Sequence, residues 1–189
     1  MKAIGIYAAH PTDSPNVFHA ADLPIPSPTN LDLLVKVQAV GVNPVDTKVR
    51  QSVTERLEEI KILGWDAVGI VEAVGDRASL FQVGDAVYYA GSITHPGCNS
   101  EYHLVDERIV GKKPNALSAI EAAAMPLTTI TAWEALFERC NISPVGQHSG
   151  QSILIVGGAG GVGSIATQLA KQLAKLKVIA TTSRKETVD

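Results

Sequence analysis

Residues 151–184 read QSILIVGGAGGVGSIATQLAKQLAKLKVIATTSR, and this stretch decides the fold of the chain. It begins with a short apolar run, 152–156, which is typical of a strand buried on both faces of a parallel sheet. Apolar residues then recur every three or four positions, which predicts a helix, and residues 177–182 follow as a second strand. The order of strand, turn, helix and strand predicts a βαβ unit.

The turn inside this unit carries the spacing GxGxxG. We expect Gly158 to permit a tight reversal, Gly160 to let backbone approach a pyrophosphate, and Gly163 to let the helix pack close to the strand. The start of the helix would add N–H donors and partial positive charge, so Gly161 and Val162 join the predicted cofactor site. The alternative is a glycine-rich structural turn, but the flanking strands and helix favour a nucleotide site.

The end of the second strand indicates which dinucleotide would bind. An acidic residue about 20 positions after the turn usually holds the ribose 2′-hydroxyl of NADH. This chain instead has hydroxyls and cations there, with no acid before Glu186. A 2′-phosphate suits such residues, so we predict NADPH over NADH, held by Thr182, Ser183 and Arg184. The alternative is that Arg184 belongs to a solvated loop.

The composition excludes several classes of protein. The chain has 189 residues, 46% of them hydrophobic and 19% charged, with a net charge of −3, which gives no reason to expect nucleic acid or an anionic membrane as partner. Two cysteines, Cys98 and Cys140, do not make a disulfide framework. The sequence has neither a signal-peptide pattern nor an apolar run long enough to span a bilayer. We therefore expect a cytoplasmic protein.

Residues 1–117 are predicted to be β-rich, and short strands with turn signals between them are typical of a small barrel or sandwich. Residues 41–50 are predicted as a loop, residues 53–62 have weak helical spacing, and residues 23–28 hold too many prolines for regular structure. We predict strands at 1–8, 34–40, 65–74, 86–89 and 101–105.

The middle of the chain is predicted to be helical. Ser118-x-x-Glu121 is a capping box that opens an alanine-rich helix, which Pro126 stops. A second helix is predicted at 128–139, and a linker at 140–151 leads into the βαβ unit. Two parallel strands and one helix cannot cover their own apolar faces. We therefore expect the chain to be part of a longer protein; the alternative is a unit completed by another chain.

Five motifs, in this order, resemble the medium-chain dehydrogenase/reductase superfamily, and most of all its zinc-free quinone oxidoreductase branch, which includes proteins labelled zinc-type alcohol dehydrogenase-like. They are GVNPVD (41–46), GWDAVGIV (64–71), GDAV (84–87), PLTTITAW (126–133) and the glycine turn (157–163).

The resemblance implies an α/β chain with three parts. These are a chaperonin-10-like, or GroES-like, β-barrel catalytic domain at 1–125, a connecting helix and linker at 126–150, and the start of an incomplete Rossmann domain at 151–189. It also implies an active site in the cleft between the domains, and it leaves open a homodimer at full length.

The same resemblance makes a test for zinc possible. The positions that match the zinc ligands of the superfamily are Asn43, Trp65 and Leu127, and Zn²⁺ prefers thiolate, imidazole or carboxylate ligands. Asp66 would offer one oxygen at best, so we expect no catalytic zinc. A rival metal site would use His95, Cys98, Glu101 and His103, but their spacing matches no familiar site, and a surface loop with a strand is the alternative.

Without zinc, the chemistry that remains is hydride transfer to an electron-poor acceptor, a quinone or an alkene conjugated to a carbonyl. The resemblance places Asn43 near the nicotinamide as a hydrogen-bond donor or positioning group, and Thr129 as a weaker candidate. The alternatives are that Asn43 fixes the turn before Pro44 and that Trp65, which would stack on the acceptor, belongs to the core. Tyr88 and Tyr89 alternate across a strand, so neither is assigned as proton donor.

The second hypothesis is a non-catalytic nucleotide-binding or structural member of the family. We expect the 189 residues alone to show little or no activity.

Overall fold

The computed structural model describes residues 1–11 and 13–183. The chain divides into two compact units, Met1–Pro126 and Leu127–Asp189. No helix in these described residues is long and apolar enough to cross a lipid bilayer.

The first unit is built mainly from strands, with two α-helices and one turn of 3₁₀-helix (Glu107–Ile109). Its helices are α1 (Pro44–Gln51) and α2 (Ala119–Ala123). Its strands are β1 (Lys2–Ile6), β2 (His19–Asp22), β3 (Asp32–Gly41), β4 (Lys61–Ile62), β5 (Asp66–Val74), β6 (Ala86–Ala90), β7 (Tyr102–Asp106) and β8 (Val110–Lys112).

These strands form two antiparallel sheets. One has the order β2-β1-β4, and the other has the order β7-β3-β5-β6-β8. A single bridge between Ala3 and Ser100 connects β1 to the loop before β7. Among the described residues the five-stranded sheet does not close into a ring, because β7 pairs with β3, β8 pairs with β6, and no ladder joins these two edge strands.

The core of the first unit lies on both faces of β5, which explains why four consecutive residues at its start are buried. On one face Ala67 and Val71 pack with apolar residues of β3, β6 and β7. On the other face Val68 packs against Ala122 and Ala123 of α2. The strand that carries the GWDAVGIV motif is therefore held rigidly from two sides.

Two local predictions in the first unit are wrong. Residues 41–50 were expected to form a loop, but α1 begins there, because Asn43 caps the helix and Pro44 suits its first position. Residues 53–62 form no helix, because their backbone is engaged elsewhere: Ala9 N–H donates to Val53 O at 3.0 Å, and Leu57 N–H donates to Tyr7 O at 2.7 Å.

The strand predictions agree with the structure except at three short elements. The predicted strands correspond to β1, β3, β5, β6 and β7, with ends that differ by a few residues. The prediction missed β2, β4 and β8, which have four, two and three residues and too little alternation to stand out. Residues 23–28 have no regular structure, as predicted, and Ser118 and Glu121 form the expected capping box.

The second unit contains the predicted βαβ arrangement. A helix, α3 (Pro126–Trp133), begins at the boundary and continues as a π-helix (Glu134–Arg139), so the predicted helix at 128–139 starts two residues earlier and changes its pitch. The parallel strands β9 (Ser152–Ile155) and β10 (Lys177–Ala180) flank α4 (Gly161–Gln172).

The core of the second unit lies on one side of its two-stranded sheet. Ala166 and Ala170 of α4 pack there with Leu136 and Leu176. On the other side Leu154 is 61% exposed and Ile179 is 59% exposed. The expected burial of the first strand on both faces is therefore wrong for the described residues, because the helical layer covers only one face.

Candidate functional site

The glycine turn between β9 and α4 is hydrogen-bonded to the residue that follows β10. Gly158 N–H donates to Thr181 O at 2.8 Å, and Gly157 N–H donates to the Thr181 hydroxyl oxygen at 3.1 Å. The reversal itself falls at Gly157, whose φ is +73°, and not at Gly158 as expected. Gly158 is needed for close approach instead, since a Cβ there would lie 2.5 Å from the Cβ of Ala180.

Gly163 allows α4 to begin directly against the turn. A Cβ at this position would lie 2.2 Å from Gly157 O and 2.8 Å from the Gly158 Cα, which are backbone atoms that cannot swing aside. Gly160 is less crowded, because its Cβ would be 3.2 Å from Gly157 O. The predicted close packing of helix and strand at Gly163 therefore has a direct geometric basis.

The start of α4 presents backbone donors and no side-chain cap. Gly160 is the N-cap residue and has no side chain that could accept from the first turn. The N–H groups of residues 161–163 have no acceptor within the helix and carry partial positive charge. The first turn contains no acidic residue, and Val162 is 37% exposed. These residues fit the pyrophosphate of a dinucleotide.

The residues predicted to read the ribose follow β10 directly. Thr182 is half-buried and Ser183 is exposed, while Arg184 lies outside the described residues. The structure therefore brings Thr182 and Ser183 next to Thr181, which holds the glycine turn. Thr129 lies on α3, and its hydroxyl oxygen is buried with no hydrogen-bond partner in the parts of the chain that the structure describes. Such a buried hydroxyl can serve a ligand.

Asn43 belongs to the first unit and is held by two carboxylates. Its backbone N–H donates to Asp46 Oδ2 at 2.6 Å, which completes the capping box of α1. Its side-chain nitrogen donates to Asp66 Oδ2 at 2.8 Å. Asp66 is the first residue of β5 and is fully buried. Sequence reasoning missed this amide–carboxylate pair, although Asn-Pro-x-Asp is a recognisable start signal for the helix that fixes Asn43.

Trp65 is a core residue rather than an exposed stacking surface. Its side chain is 2% exposed and packs with Ile6, Val53 and Leu63. The indole nitrogen donates to Ser92 O at 2.9 Å, so the one polar group of the ring is satisfied inside the protein.

The residues of the rival metal site are engaged in separate contacts. Glu101 accepts the backbone N–H of Lys2 at 2.7 Å, and His95 Nδ1 lies 3.1 Å from the Thr94 hydroxyl. Cys98 is fully buried, and its thiol donates to Asp66 O at 3.6 Å. Among the described residues, no group of three or more His, Cys, Asp and Glu side chains is arranged to hold a metal ion.

His103 forms a buried pair with Tyr89. Its Nε2 donates to Pro96 O at 3.0 Å, so Nδ1 accepts from the Tyr89 hydroxyl at 3.0 Å. Burial lowers the pKa of His103 from its ordinary 6.5, and burial raises the pKa of Tyr89 well above 10.0. Burial also raises the pKa of the Cys98 thiol to about 12. All three side chains are therefore neutral at physiological pH.

Comparison with known proteins agrees with this architecture. Residues 29–115 match the alcohol dehydrogenase GroES-like domain. The chain is 48% identical over 189 residues to a zinc-type alcohol dehydrogenase-like protein of Staphylococcus epidermidis, an alignment that covers all of this chain and 55% of the relative. It is 35% identical over 167 residues to the quinone oxidoreductase of Homo sapiens, covering 88% of this chain and 48% of the relative. The chain belongs to the medium-chain dehydrogenase/reductase superfamily.

A solved structure from this superfamily supports the same assignment. The Escherichia coli quinone oxidoreductase, which was crystallised in complex with NADPH, superposes with a TM-score of 0.79 at 30% identity. The alignment covers 98% of this chain and 54% of the Escherichia coli chain. The chain thus spans about half the length of the medium-chain dehydrogenase/reductase proteins that it matches.

Proposed function

We propose that the full-length protein is an NADPH-dependent oxidoreductase that reduces a quinone, or an alkene conjugated to a carbonyl, without catalytic zinc. The observation that carries the proposal is the glycine turn, where a Cβ at Gly163 would lie 2.2 Å from Gly157 O and α4 begins without a side-chain cap. This geometry favours a pyrophosphate held by backbone N–H groups.

The cofactor preference is argued from the residues that follow β10. Thr182 and Ser183 offer hydroxyl groups, and the next two residues of the sequence are Arg184 and Lys185. A 2′-phosphate gains from such donors, whereas the 2′-hydroxyl of NADH usually meets an acid. The Escherichia coli quinone oxidoreductase, a relative by structure, was crystallised with NADPH.

The donor set does not fit catalytic zinc. The indole of Trp65 has an N–H to donate and no lone pair to offer a metal, and that N–H is bonded to Ser92 O. Leu127 has no ligand atom, and the Asn43 amide is bound to Asp66. The proposed reaction therefore uses no zinc, although several relatives carry zinc-type in their names.

The residues of this chain would serve the reaction by position and hydrogen bonding. When bound, NADPH supplies a hydride from its nicotinamide ring. Asn43 donates a hydrogen bond to a carbonyl oxygen on which negative charge develops, and Thr129 offers its unpartnered hydroxyl to the cofactor. A small electron-poor acceptor is the expected partner, and the resemblance leaves open a homodimer at full length.

The test is a kinetic and binding comparison on the full-length protein. NADPH oxidation is followed with a quinone and with an enone, and NADPH and NADH are compared by fluorescence titration. We expect turnover with at least one acceptor and tighter binding of NADPH. Arg184→Ala is expected to weaken NADPH binding about tenfold, the loss of one charge-assisted phosphate contact, and to leave NADH binding unchanged.

Tighter binding of NADH, or a zinc ion required for turnover, would overturn the proposal. NADPH binding without turnover would favour the non-catalytic alternative.

A further inference from the structure

We propose that Asp66 is a positioning residue that fixes which end of the Asn43 amide is available to a ligand. The inference deepens the proposed function and rests on it for its kinetic part. It starts from one contact: Asn43 Nδ2 donates to Asp66 Oδ2 at 2.8 Å, and Asp66 is fully buried.

The chemistry of the two groups allows only one orientation. A carboxylate accepts hydrogen bonds and donates none, whereas an amide has a donating end and an accepting end. If the Asn43 amide were flipped, its oxygen would face a buried carboxylate oxygen, and the two acceptors would repel each other. Asp66 therefore selects the orientation in which the amide nitrogen points inward.

The backbone at both residues is already fixed, so the amide torsion is the remaining freedom. Asp46 N–H donates to Asn43 O at 3.0 Å and Asn43 N–H donates to Asp46 Oδ2 at 2.6 Å, which anchors the start of α1. Asp66 is paired with Gly41 on one side and with Ala90 on the other. Both ends of the contact thus lie on rigid elements, as a precise site requires.

One N–H of Asn43 is left for a ligand. A primary amide has two N–H bonds, and the described contact with Asp66 uses one of them. Asn43 is half-buried, so its side chain is within reach of a bound molecule. The contact with Asp66 also fixes the direction of the second N–H, so this donor is oriented before a ligand binds. The ligand group that suits it is a carbonyl oxygen that gains negative charge.

The first experiment measures the NMR signals of the Asn43 side-chain amide and does not require catalytic turnover. The full-length protein is labelled with ¹⁵N-asparagine, and Asn43 is assigned by its loss in Asn43→Ser. We expect one Asn43 side-chain proton to be shifted downfield and slow to exchange, and both effects to vanish in Asp66→Ala. Cys98→Ala is the matched control, because the Cys98 thiol donates to the backbone oxygen of Asp66. An Asn43 signal unchanged by Asp66→Ala would overturn the proposal.

The second experiment separates positioning from a purely structural role. Asp66→Asn keeps the shape of the side chain but pairs with either end of the Asn43 amide. We expect kcat to fall about tenfold or more with little change in KM for NADPH, as loss of an oriented donor predicts. Cys98→Ala is expected to keep kcat. An unchanged kcat in Asp66→Asn would contradict the proposal.

A double variant that exchanges the two residues separates the positioning role from a structural role most clearly. Asn43→Asp combined with Asp66→Asn restores a carboxylate–amide hydrogen bond but leaves no donor at position 43. We expect thermal stability to recover and kcat to stay low, and recovery of both would mean that the pair is only structural. If the wild-type protein shows no turnover at all, the proposed function fails, while the amide signal still decides whether Asp66 orients Asn43.

Discussion

The Asn43–Asp66 pair and the glycine turn are built by opposite means. At the pair, a fully buried carboxylate and a capped helix start fix one amide through hydrogen bonds of 2.8 Å and 2.6 Å. At the turn, the absence of side chains is what matters, because a Cβ at Gly163 would lie 2.2 Å from Gly157 O. The first region should therefore be sensitive to the polarity of a side chain, and the second to its volume.

The largest effect is expected at Trp65, whose core cluster packs against Val45 and Val49 of α1. Trp65→Ala removes a side chain that is 2% exposed and should lower the free energy of unfolding by about 3–5 kcal/mol. Trp65→Phe keeps most of the packing and loses the bond to Ser92 O, which should cost about 1 kcal/mol. Urea denaturation of both variants measures the difference. Near wild-type stability in Trp65→Ala, with acceptor binding lost, would favour the stacking role instead.

A smaller loss of stability is expected when a side chain is added at Gly163 in the glycine turn. Gly163→Ala forces backbone atoms apart and should lower the free energy of unfolding by about 1–3 kcal/mol. Its NADPH affinity should fall at least about tenfold, since the donors of α4 would move.

Gly161→Ala is the matched control for this prediction. A Cβ at Gly161 would meet only the side-chain methyl of Thr128 at 3.3 Å. Its unfolding free energy should stay within about 0.5 kcal/mol of wild type. If Gly163→Ala and Gly161→Ala lost the same free energy of unfolding, backbone crowding at Gly163 would not explain why that position requires glycine.

A third prediction concerns pH and the buried His103. Because its folded pKa lies below the ordinary 6.5, the unfolded chain binds a proton more readily as pH falls. The stabilisation that the neutral His103 ring contributes is therefore fully present above pH 6.5. It is lost as the pH falls from there toward the lowered pKa of the folded state. His103→Gln removes this contribution, so its stability should fall less steeply over that window. Denaturation curves at several pH values, taken as the difference between the two proteins, measure the effect; parallel curves would contradict it.

The smallest effect is a difference in thiol labelling between the two cysteines, which requires no change in stability. Cys98 is fully buried with a pKa of about 12, whereas Cys140 is exposed. In the native protein iodoacetamide should label Cys140 and spare Cys98, and both should react in denaturant. Peptide mass spectrometry identifies the labelled residue. Native labelling of Cys98 at the same rate as Cys140 would show that the Asp66 region opens readily.

The sequence could predict the parts of the molecule that depend on local spacing. The glycine spacing and the apolar period of α4 predicted the βαβ unit, and Ser118 and Glu121 predicted the start of α2. Asn43, Pro44 and Asp46 are the same kind of local signal for the start of α1, although the sequence prediction for residues 41–50 is a loop. The positive φ of +73° lies at Gly157, one residue before the motif, where the spacing alone does not point.

Other features depend on contacts between distant residues, which no spacing shows. Asn43 and Asp66 are separated by 23 positions, and Tyr89 and His103 by 14. Residues 53–62 have helical spacing, yet their backbone hydrogen bonds to residues 7–9 exclude a helix. The open order of the five-stranded sheet likewise follows from non-local pairing.

Thr181 ties the turn to the end of β10, and this has a practical consequence for protein engineering. Its oxygen atoms accept from Gly158 and Gly157, and its own N–H donates to Ile155 O at 3.0 Å. The glycine turn and the residues proposed to bind the ribose are therefore held by hydrogen bonds of the same residue. Variants at positions 182–184 that test the proposed nucleotide preference should keep this threonine, because a change there would disturb the proposed pyrophosphate and ribose contacts at once.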